Sequence, residues 1–317
     1  MSATGTFAFE TRSSCPACGS PESRRRFAAR FDQPPIAGFI SSFYKIDPAR
    51  LDGTYDARQC TACGTFFQAE VGNDALLEQL YTHWVFEIGD PMRDPHYAFD
   101  VTHPALSRDG HELMTAAAVL GRDLQAMRTL DFGMGWAGWA RVAKSLGCDS
   151  YGHELSADRV AYAATHGIKP FDPKLTYHFI NTEQVFEHLT DPLGAAHMLA
   201  GVLAPGGILK ISLPSPHGLD RLLDRLKPGE GDVSYEEIMP LQPLEHVNCF
   251  TVAGLRALAG KTGLSFTRPP ILRSYLTLAR RRALDPRLPK QVAKELARPF
   301  YRRLNPRNHH VWLRKPA

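Results

Sequence analysis

The sequence predicts an α/β fold, a parallel sheet flanked by helices and preceded by a small metal-binding module, and three observations carry that expectation. From Gly110 onward, helical segments alternate with short apolar strands. A Gly-x-Gly-x-x-Gly run, Gly133 to Gly138, stands directly between one such strand and the next helix. Ahead of both lie two Cys-x-x-Cys-Gly pairs, Cys15/Cys18 and Cys60/Cys63. With 317 residues, 44% of them hydrophobic and 22% charged, the chain can bury a large core, which excludes disorder as its dominant state.

Composition narrows the setting further. No stretch approaches the roughly eighteen apolar residues that span a bilayer. The first thirty residues lack the apolar run of a signal peptide, so the expected compartment is the cytoplasm. Six cysteines are too few for a disulfide scaffold at this length, and in a reducing compartment two CxxC pairs point to metal. A net charge of +4 is too small to argue for nucleic acid by itself.

In chain order, Ser13 to about Val71 reads as a metal-stapled module around an apolar, proline-containing stretch at 34–44. Leu76, Leu77, Leu80 and Tyr81 share one helical face, and the Asp-, Pro- and His-rich segment 89–103 reads as a loop or linker. Then come the helix HELMTAAAVLG, the strand RTLDFG, the helix WARVAKSLG and the strand DSYGHE. A helix follows with Ser156 as N-cap and Gly167 at its end. YHFINTEQ is a strand, PLGAAHMLAGVLAPGG a helix closed by two glycines, and ILKISLP a strand. FTVAGLRALAGKTG, SFTRPPILRSY and HHVWLRK complete the set as helix, strand and strand. The division is a zinc-binding module at 1–72, a connecting helix and loop at 73–109, and a cofactor-binding domain at 110–317. That domain carries a lid insertion at 217–240 and a basic helical insertion at 278–307.

Glycines at 133, 135 and 138 permit a tight turn and close approach of the backbone to a ligand at a helix N-terminus. Glu154 ends the next strand, where a carboxylate can accept both ribose hydroxyls of an adenosine. A dinucleotide and S-adenosylmethionine (SAM) both fit that pattern. Asp131, two residues before the first glycine, favours SAM: its charge would repel a pyrophosphate and suits a ligand bearing an ammonium and a sulfonium.

At these residues the chain resembles the class I SAM-dependent methyltransferases. LDFGMG is similar to their first motif, YGHELS to the segment with the ribose acid, FINTEQVFEHLTDP to the end of the fourth strand, and LAPGGILKISLP to the turn and fifth strand. The resemblance implies a Rossmann-like sheet of seven strands whose last runs antiparallel. It also implies a cofactor site formed by Asp131, Gly133, Gly135, Gly138, Glu154, Leu155, Glu183 and Gln184. The short connection between Gly167 and Tyr177 leaves Asp172 as a candidate contact to adenine.

Four thiolates from Cys15, Cys18, Cys60 and Cys63 would make a closed tetrahedral zinc site, which is structural because no position remains for water. Cys148 and Cys249 have no such spacing and read as buried thiols. Paired knuckles ahead of this domain resemble the N-terminal module of bacterial nucleotide-sugar C-methyltransferases, whose additional C-terminal domain this chain is too short to hold. That resemblance places His188 of VFEHLTD, and Glu245 and His246 of PLEHVNCF, in the active site. Where the family has a tyrosine just upstream of the Glu-His pair, this chain has Gln242, Pro243 and Leu244. Methyl transfer needs an aligned nucleophile and a base for its proton, and histidine suits that work near neutral pH.

Residues 280–307 carry ten lysines and arginines against two acids, so an anionic acceptor or a peripheral membrane contact through this segment is expected. The sequence thus predicts SAM-dependent methylation, at carbon or oxygen, of a small-molecule or carbohydrate acceptor such as a nucleotide sugar or glycan. RNA methylation is disfavoured, because the strand end reads NTEQ rather than Asn/Asp-Pro-Pro-aromatic. A non-catalytic SAM-binding or S-adenosylhomocysteine-binding protein is the remaining alternative. The oligomeric state is left open.

Overall fold

The structure, a computed structural model, describes residues 6–85, 89–270 and 306–317, together with residues 272, 293, 296, 297 and 300. Most of the basic insertion expected at 278–307 lies outside the described residues. The N-terminal part comprises β1 (Phe9–Thr11), β2 (Ser23–Arg30), α1 (Ile36–Phe43), β3 (Thr54–Cys60), β4 (Phe66–Gln68) and β5 (Glu70–Gly72). Next come α2 (Asp74–Gln79), α3 (Pro95–Thr102), α4 (Arg108–Leu120), β6 (Arg128–Phe132), α5 (Gly138–Ser145) and β7 (Asp149–His153). They are followed by α6 (Ala157–Thr165), β8 (Lys169–Pro170), β9 (Tyr177–Glu183), α7 (Pro192–Val202) and β10 (Leu203–Pro214). The chain ends with α8 (Leu219–Arg225), α9 (Tyr235–Ile238), β11 (Asn248–Cys249), α10 (Val252–Lys261), β12 (Ser265–Thr267) and β13 (Asn308–Arg314).

Two boundaries differ from the sequence pattern for local reasons. Helix α4 starts before Gly110 because the Ser107 hydroxyl accepts from the Gly110 amide at 2.8 Å. A Cβ at Gly110 would lie 1.8 Å from the Pro104 carbonyl oxygen, so this turn requires glycine. Helix α7 stops at Val202, short of the glycine pair, because β10 has already begun. Leu203 pairs with Tyr177, the strand bulges around Gly206 at φ +72°, and pairing resumes at Ile208 opposite Phe179.

Among the described residues the main sheet has seven strands in the order β12-β13-β10-β9-β6-β7-β8. Strands β6 to β10 are mutually parallel, and β13 runs antiparallel between β10 and β12. This is the Rossmann-like class I methyltransferase arrangement expected from the sequence. Strand β6 has β7 on one side and β9 on the other, so the order reverses there and a crevice opens beyond the strand C-termini.

A second, antiparallel sheet has the order β11-β4-β3-β2. Its edge strand β11 comes from the segment just after His246, so the N-terminal sheet is completed by the C-terminal part of the chain. The cores are shared in the same way. Cys15, Cys60 and Phe67 pack in one cluster with Leu209, Phe250 and Leu255, while Phe39 and Ile40 of α1 pack with Leu219, Leu222 and Ile238 of the 217–240 insertion. Arg26 of β2 forms ion pairs with Asp220 at 2.5 Å and Asp224 at 2.6 Å on α8. Among the described residues no helix is long and apolar enough to cross a membrane.

Candidate functional site

The glycine loop leaves β6 at the reversal point. Gly133 and Gly135 have φ of +74° and +51°, conformations that favour glycine. Their surroundings differ. A Cβ on Gly133 would meet Val185 Cγ2 at 2.5 Å, whereas one on Gly135 would meet nothing within 4 Å. Gly133 is therefore a packing position against the loop after β9, and Gly135 faces open space. Gly138 opens α5 and touches the ring of Tyr97 on α3, whose hydroxyl donates to the Trp136 carbonyl at 2.7 Å. The segment expected to be a loop or linker thus contributes a helix that braces the glycine turn.

Glu154 follows β7 and gathers backbone donors with both carboxylate oxygens. Oε2 accepts from the Gly135 amide at 2.9 Å, and Oε1 accepts from Leu155 at 2.9 Å and Ser156 at 3.1 Å. Leu155 beside it is 88% exposed. An open glycine backbone, a carboxylate tied to it and an apolar side chain left in solvent fit the methionine, ribose and adenine parts of SAM.

Asp131 lies deeper. It is buried, its Oδ1 accepts from Asn181 Nδ2 at 2.7 Å, and burial pushes its carboxyl up to about 7. Asn181 in turn accepts from Lys210 Nζ at 2.8 Å, and Lys210, itself buried, reaches Glu112 at 3.3 Å and pairs closely with Glu183. Burial works to raise Glu183, but Lys210 and Arg108, the latter 3.4 Å away, outweigh it and hold the carboxyl at about 2. Gln184 has φ +53°, and its amide donates to the Ser212 carbonyl at 2.8 Å. Asp131 and Glu183 are therefore joined through one buried polar network beneath the crevice. Lys210 and Asn181 were not singled out in the sequence, although a lysine inside an apolar strand is the signal that would have found them. Asp172 sits on the β8–β9 connection, with its carbonyl accepting from Tyr177 at 3.0 Å.

The second group of residues assembles around the loop 239–248. His246 Nδ1 lies 2.5 Å from the Met239 carbonyl oxygen, and His188 Nδ1 lies 3.1 Å from that of Glu245. Carbonyls only accept, so His246 Nδ1 carries the proton and its Nε2 keeps a lone pair, whereas His188 Nδ1 lies between the Glu245 carbonyl and the Tyr81 hydroxyl, which can donate or accept. The two rings are 4.7 Å apart and nearly perpendicular. Burial, aided by His246, lowers His188 to about 3, and burial lowers His246 to about 4; both are neutral imidazoles. Burial raises Glu245 to about 7.

The N-terminal part supplies the framework for this loop. The Tyr44 hydroxyl donates to the Pro243 carbonyl at 2.7 Å, accepts from Gln242 Nε2 at 2.9 Å and lies 3.4 Å from Glu245 Oε2. Tyr55 donates to the Leu241 carbonyl at 2.7 Å. Buried Gln68 donates to the carbonyls of Gln242 at 2.7 Å and His246 at 3.0 Å. Tyr81 Oη is 3.2 Å from His188 Nδ1. Glu187 next to His188 is also buried in this region. Tyr44, Tyr55 and Gln68 were not picked as site residues from the sequence, since their partners are distant in the chain.

The four cysteines converge as two matched knuckles. Gly19 and Gly64 adopt φ of +75° and +73°, and each donates its amide to the carbonyl of the first cysteine of its pair at 2.9 Å. Cys15 and Cys63 sulfurs are 3.6 Å apart, as are those of Cys18 and Cys60, and all four ligand atoms lie within 4.8 Å of one another. These are free thiols. A tetrahedron with metal–sulfur bonds of about 2.3 Å has edges of about 3.8 Å, so the donor set fits zinc. Thr251 Oγ1, donating to the Cys63 carbonyl at 2.7 Å, ties the second knuckle to the start of α10. Cys148 and Cys249 are buried elsewhere.

Residues 106–268 match the family model described as a methyltransferase domain. Among solved structures, the chain is similar to the plantazolicin methyltransferase BamL in complex with a triazolic desmethylPZN analog and SAH. That match has 16% identity and a TM-score of 0.47, covering 76% of this chain and 95% of that one. It is also similar to an S-adenosylmethionine-dependent methyltransferase from Mesorhizobium loti, with 18% identity and a TM-score of 0.41, covering 68% of this chain and 100% of that one. No curated protein sequence matches the chain.

Proposed function

We propose, for a chain that belongs to the methyltransferase domain family and is a SAM-dependent methyltransferase, that its acceptor is a small molecule or carbohydrate methylated at oxygen or carbon. The observation that carries this reading is the pair of neutral histidines held beside Glu245, with a lone pair free on His246 Nε2, on the segments that follow β9 and β10. Val185, three residues before His188, packs against Gly133, so the histidine loop and the glycine loop are neighbours at the strand C-termini.

When bound, SAM supplies a methyl group made electrophilic by its sulfonium. In this reading the backbone at Gly133, Gly135 and Gly138, with Glu154 and Leu155, orients it, and the carboxyl of Asp131 and the charged carboxylate of Glu183 lie beneath. Gln184 closes the end of β9. His246 Nε2 takes the proton of the acceptor hydroxyl or acidic C–H, held in aim by the Met239 carbonyl on its other nitrogen. Glu245, fixed by Gln242 Nε2 at 2.7 Å, positions the acceptor, and His188 lines the same wall. The similarity to nucleotide-sugar C-methyltransferases supports a carbohydrate, and the excess of basic residues at 280–307 supports an anionic one.

Zinc held by Cys15, Cys18, Cys60 and Cys63 would fold the 1–72 module, which buttresses the acceptor loop from behind. The 73–109 connection braces the glycine turn, and the 217–240 insertion serves as the lid. Cytoplasmic residence belongs to the same reading. The test is SAM turnover against a panel of nucleotide sugars, glycans and RNA, with the product identified by mass. A methylated sugar or small molecule is the expected product. RNA as the sole methylated species would replace this reading, and tight SAM binding without turnover on any acceptor would favour the non-catalytic alternative.

A further inference from the structure

Glu187 does nothing in the methyl-transfer scheme, yet it is 1% exposed, and neither carboxylate oxygen has a hydrogen-bond partner among the described residues. A carboxylate taken out of water without a partner is costly. Its neighbours explain where a partner would come from. Ligating atoms of Glu187, His188 and His246 all lie within 4.8 Å of one another. Each imidazole has its Nδ1 at a backbone carbonyl, that of Glu245 for His188 and that of Met239 for His246, which leaves Nε2 as the ring's other ligand atom. Two imidazoles and a buried carboxyl without a partner converge, burial holds that carboxyl well above the usual carboxylate range, and a cation that displaces its proton would complete such a set.

We propose that Glu187, His188 and His246 bind a divalent transition-metal ion, separate from the cysteine site. Three features support a built site over a chance cluster. Two imidazoles and one carboxylate are the donor set that nitrogen- and oxygen-loving ions of the zinc, iron(II) and manganese(II) group take, with coordination positions left open. Ligating histidines ordinarily donate their second nitrogen to a carbonyl or carboxylate, and both rings already have Nδ1 within hydrogen-bond distance of a backbone carbonyl. The two peptide segments are also clamped together. Asn248 donates its backbone amide to the Glu187 carbonyl at 3.0 Å and its side-chain amide to the carbonyls of Phe186 at 2.9 Å and Leu189 at 2.7 Å. Arg12 Nη1 in turn holds Asn248 Oδ1 at 2.7 Å. Donor atoms about 2.1 Å from an ion are roughly 3 Å apart, which side-chain adjustment can supply from this starting point.

Resting on the acceptor-side placement proposed above, the ion's open positions face the group to be methylated and take an oxygen donor of the acceptor. The ion then does the acidifying work assigned to His246, whose lone pair anchors it.

Cobalt(II) titration of the full chain tests the site, with zinc content and S-adenosylhomocysteine binding measured on the same samples. The wild type should bind one cobalt per chain beyond the metal at the cysteines. Its visible spectrum should show weak d–d bands without the intense thiolate charge-transfer absorption that cobalt at the four cysteines would produce. Cobalt should also raise the melting temperature. Glu187→Gln keeps the shape and should weaken cobalt binding at least tenfold and abolish that stabilisation, while zinc content and S-adenosylhomocysteine affinity stay unchanged. His188→Asn should do the same. The proposal is overturned if the wild type takes up no second ion at millimolar cobalt, or if the Glu187 variant binds it as the wild type does. Loss of S-adenosylhomocysteine binding in the wild type would instead overturn the cofactor reading and leave the metal site to be judged by its own titration.

Discussion

Replacing Glu154 by Ala should weaken binding of SAM and S-adenosylhomocysteine by about 1.5–3 kcal/mol, the usual worth of charge-assisted hydrogen bonds at a ribose. That corresponds to roughly 10- to 150-fold in Kd. The structure gives two reasons to expect a substantial effect. The carboxylate accepts from the amides of Gly135, Leu155 and Ser156, so its removal both deletes the ribose acceptor and frees the glycine loop that the ligand backbone must approach. Arg159 Nη1, 3.9 Å from Oε1, would then stand without its nearest counter-charge at the same place. Glu154→Gln retains one acceptor oxygen and should fall between the wild type and the alanine variant. Isothermal calorimetry with S-adenosylhomocysteine measures all three, and thermal melting of the ligand-free proteins separates loss of contact from loss of fold. An alanine variant that binds within twofold of wild type would refute the assignment of Glu154 as the ribose acid. A wild type that prefers a nicotinamide dinucleotide would refute the reading of the whole loop.

Elemental analysis should find one zinc per chain at the four cysteines, and Cys60→Ser should lose it and lower the melting temperature, because opening a closed site forfeits metal-linked folding energy. Zinc-free protein whose four thiols react at once with a thiol reagent would sink that prediction. His246→Ala should lower the maximal methylation rate about a hundredfold while leaving S-adenosylhomocysteine affinity nearly unchanged, and Glu245→Gln should show a smaller defect of the same kind. Equal losses in cofactor affinity and rate would place His246 at the cofactor instead. Tyr44→Phe should raise the acceptor KM several-fold with little change in cofactor affinity, since it removes the hydroxyl that holds Pro243 and approaches Glu245. Steady-state kinetics with both substrates varied would expose an effect confined to the cofactor, which would contradict the positioning role.

What the sequence disclosed and what it hid divide by range. The glycine turn, the acid after β7 and each single knuckle are local, since a few residues and their backbone dihedrals set the geometry, while the meeting of the two knuckles is a product of the fold. The seven strands and the antiparallel last one followed from the family resemblance, and the short 167–177 connection is matched by a direct run from β8 into β9. Boundaries slipped where pairing overrode helix signals, as at Leu203, which joins β10 opposite Tyr177 rather than ending α7 in the glycine pair. The framework of the histidine loop was hidden because Tyr44, Tyr55 and Gln68 bind backbone carbonyls more than 170 residues away, and a carbonyl leaves no trace in side-chain identity. Glu187 was passed over for a different reason. Beside His188 it reads as a polar residue on a loop, and only its burial without a partner reveals it.

The long-range contacts also explain why a knuckle module should be needed at all. The loop 239–248 has little regular structure of its own: it contains one short helical turn, a left-handed Leu244 at φ +69° and the two-residue strand β11. A segment of that kind would ordinarily sample many conformations, and each ordered residue costs about 1–2 kcal/mol of backbone entropy. Gln68, Tyr55 and Tyr44 together supply five of its polar partners, and β4 gives β11 a ladder to join. Tyr55 lies on β3 and Gln68 on β4, Tyr44 caps α1, and the hairpin of β3 and β4 turns through the Cys60–Cys63 knuckle. Metal at the cysteines would therefore act on catalysis without touching a substrate, by fixing the strands whose far ends hold His246 and Glu245 in place. Loss of zinc should accordingly depress turnover through acceptor binding and rate, while the glycine loop and Glu154, held by β6, β7 and α3, continue to bind the cofactor.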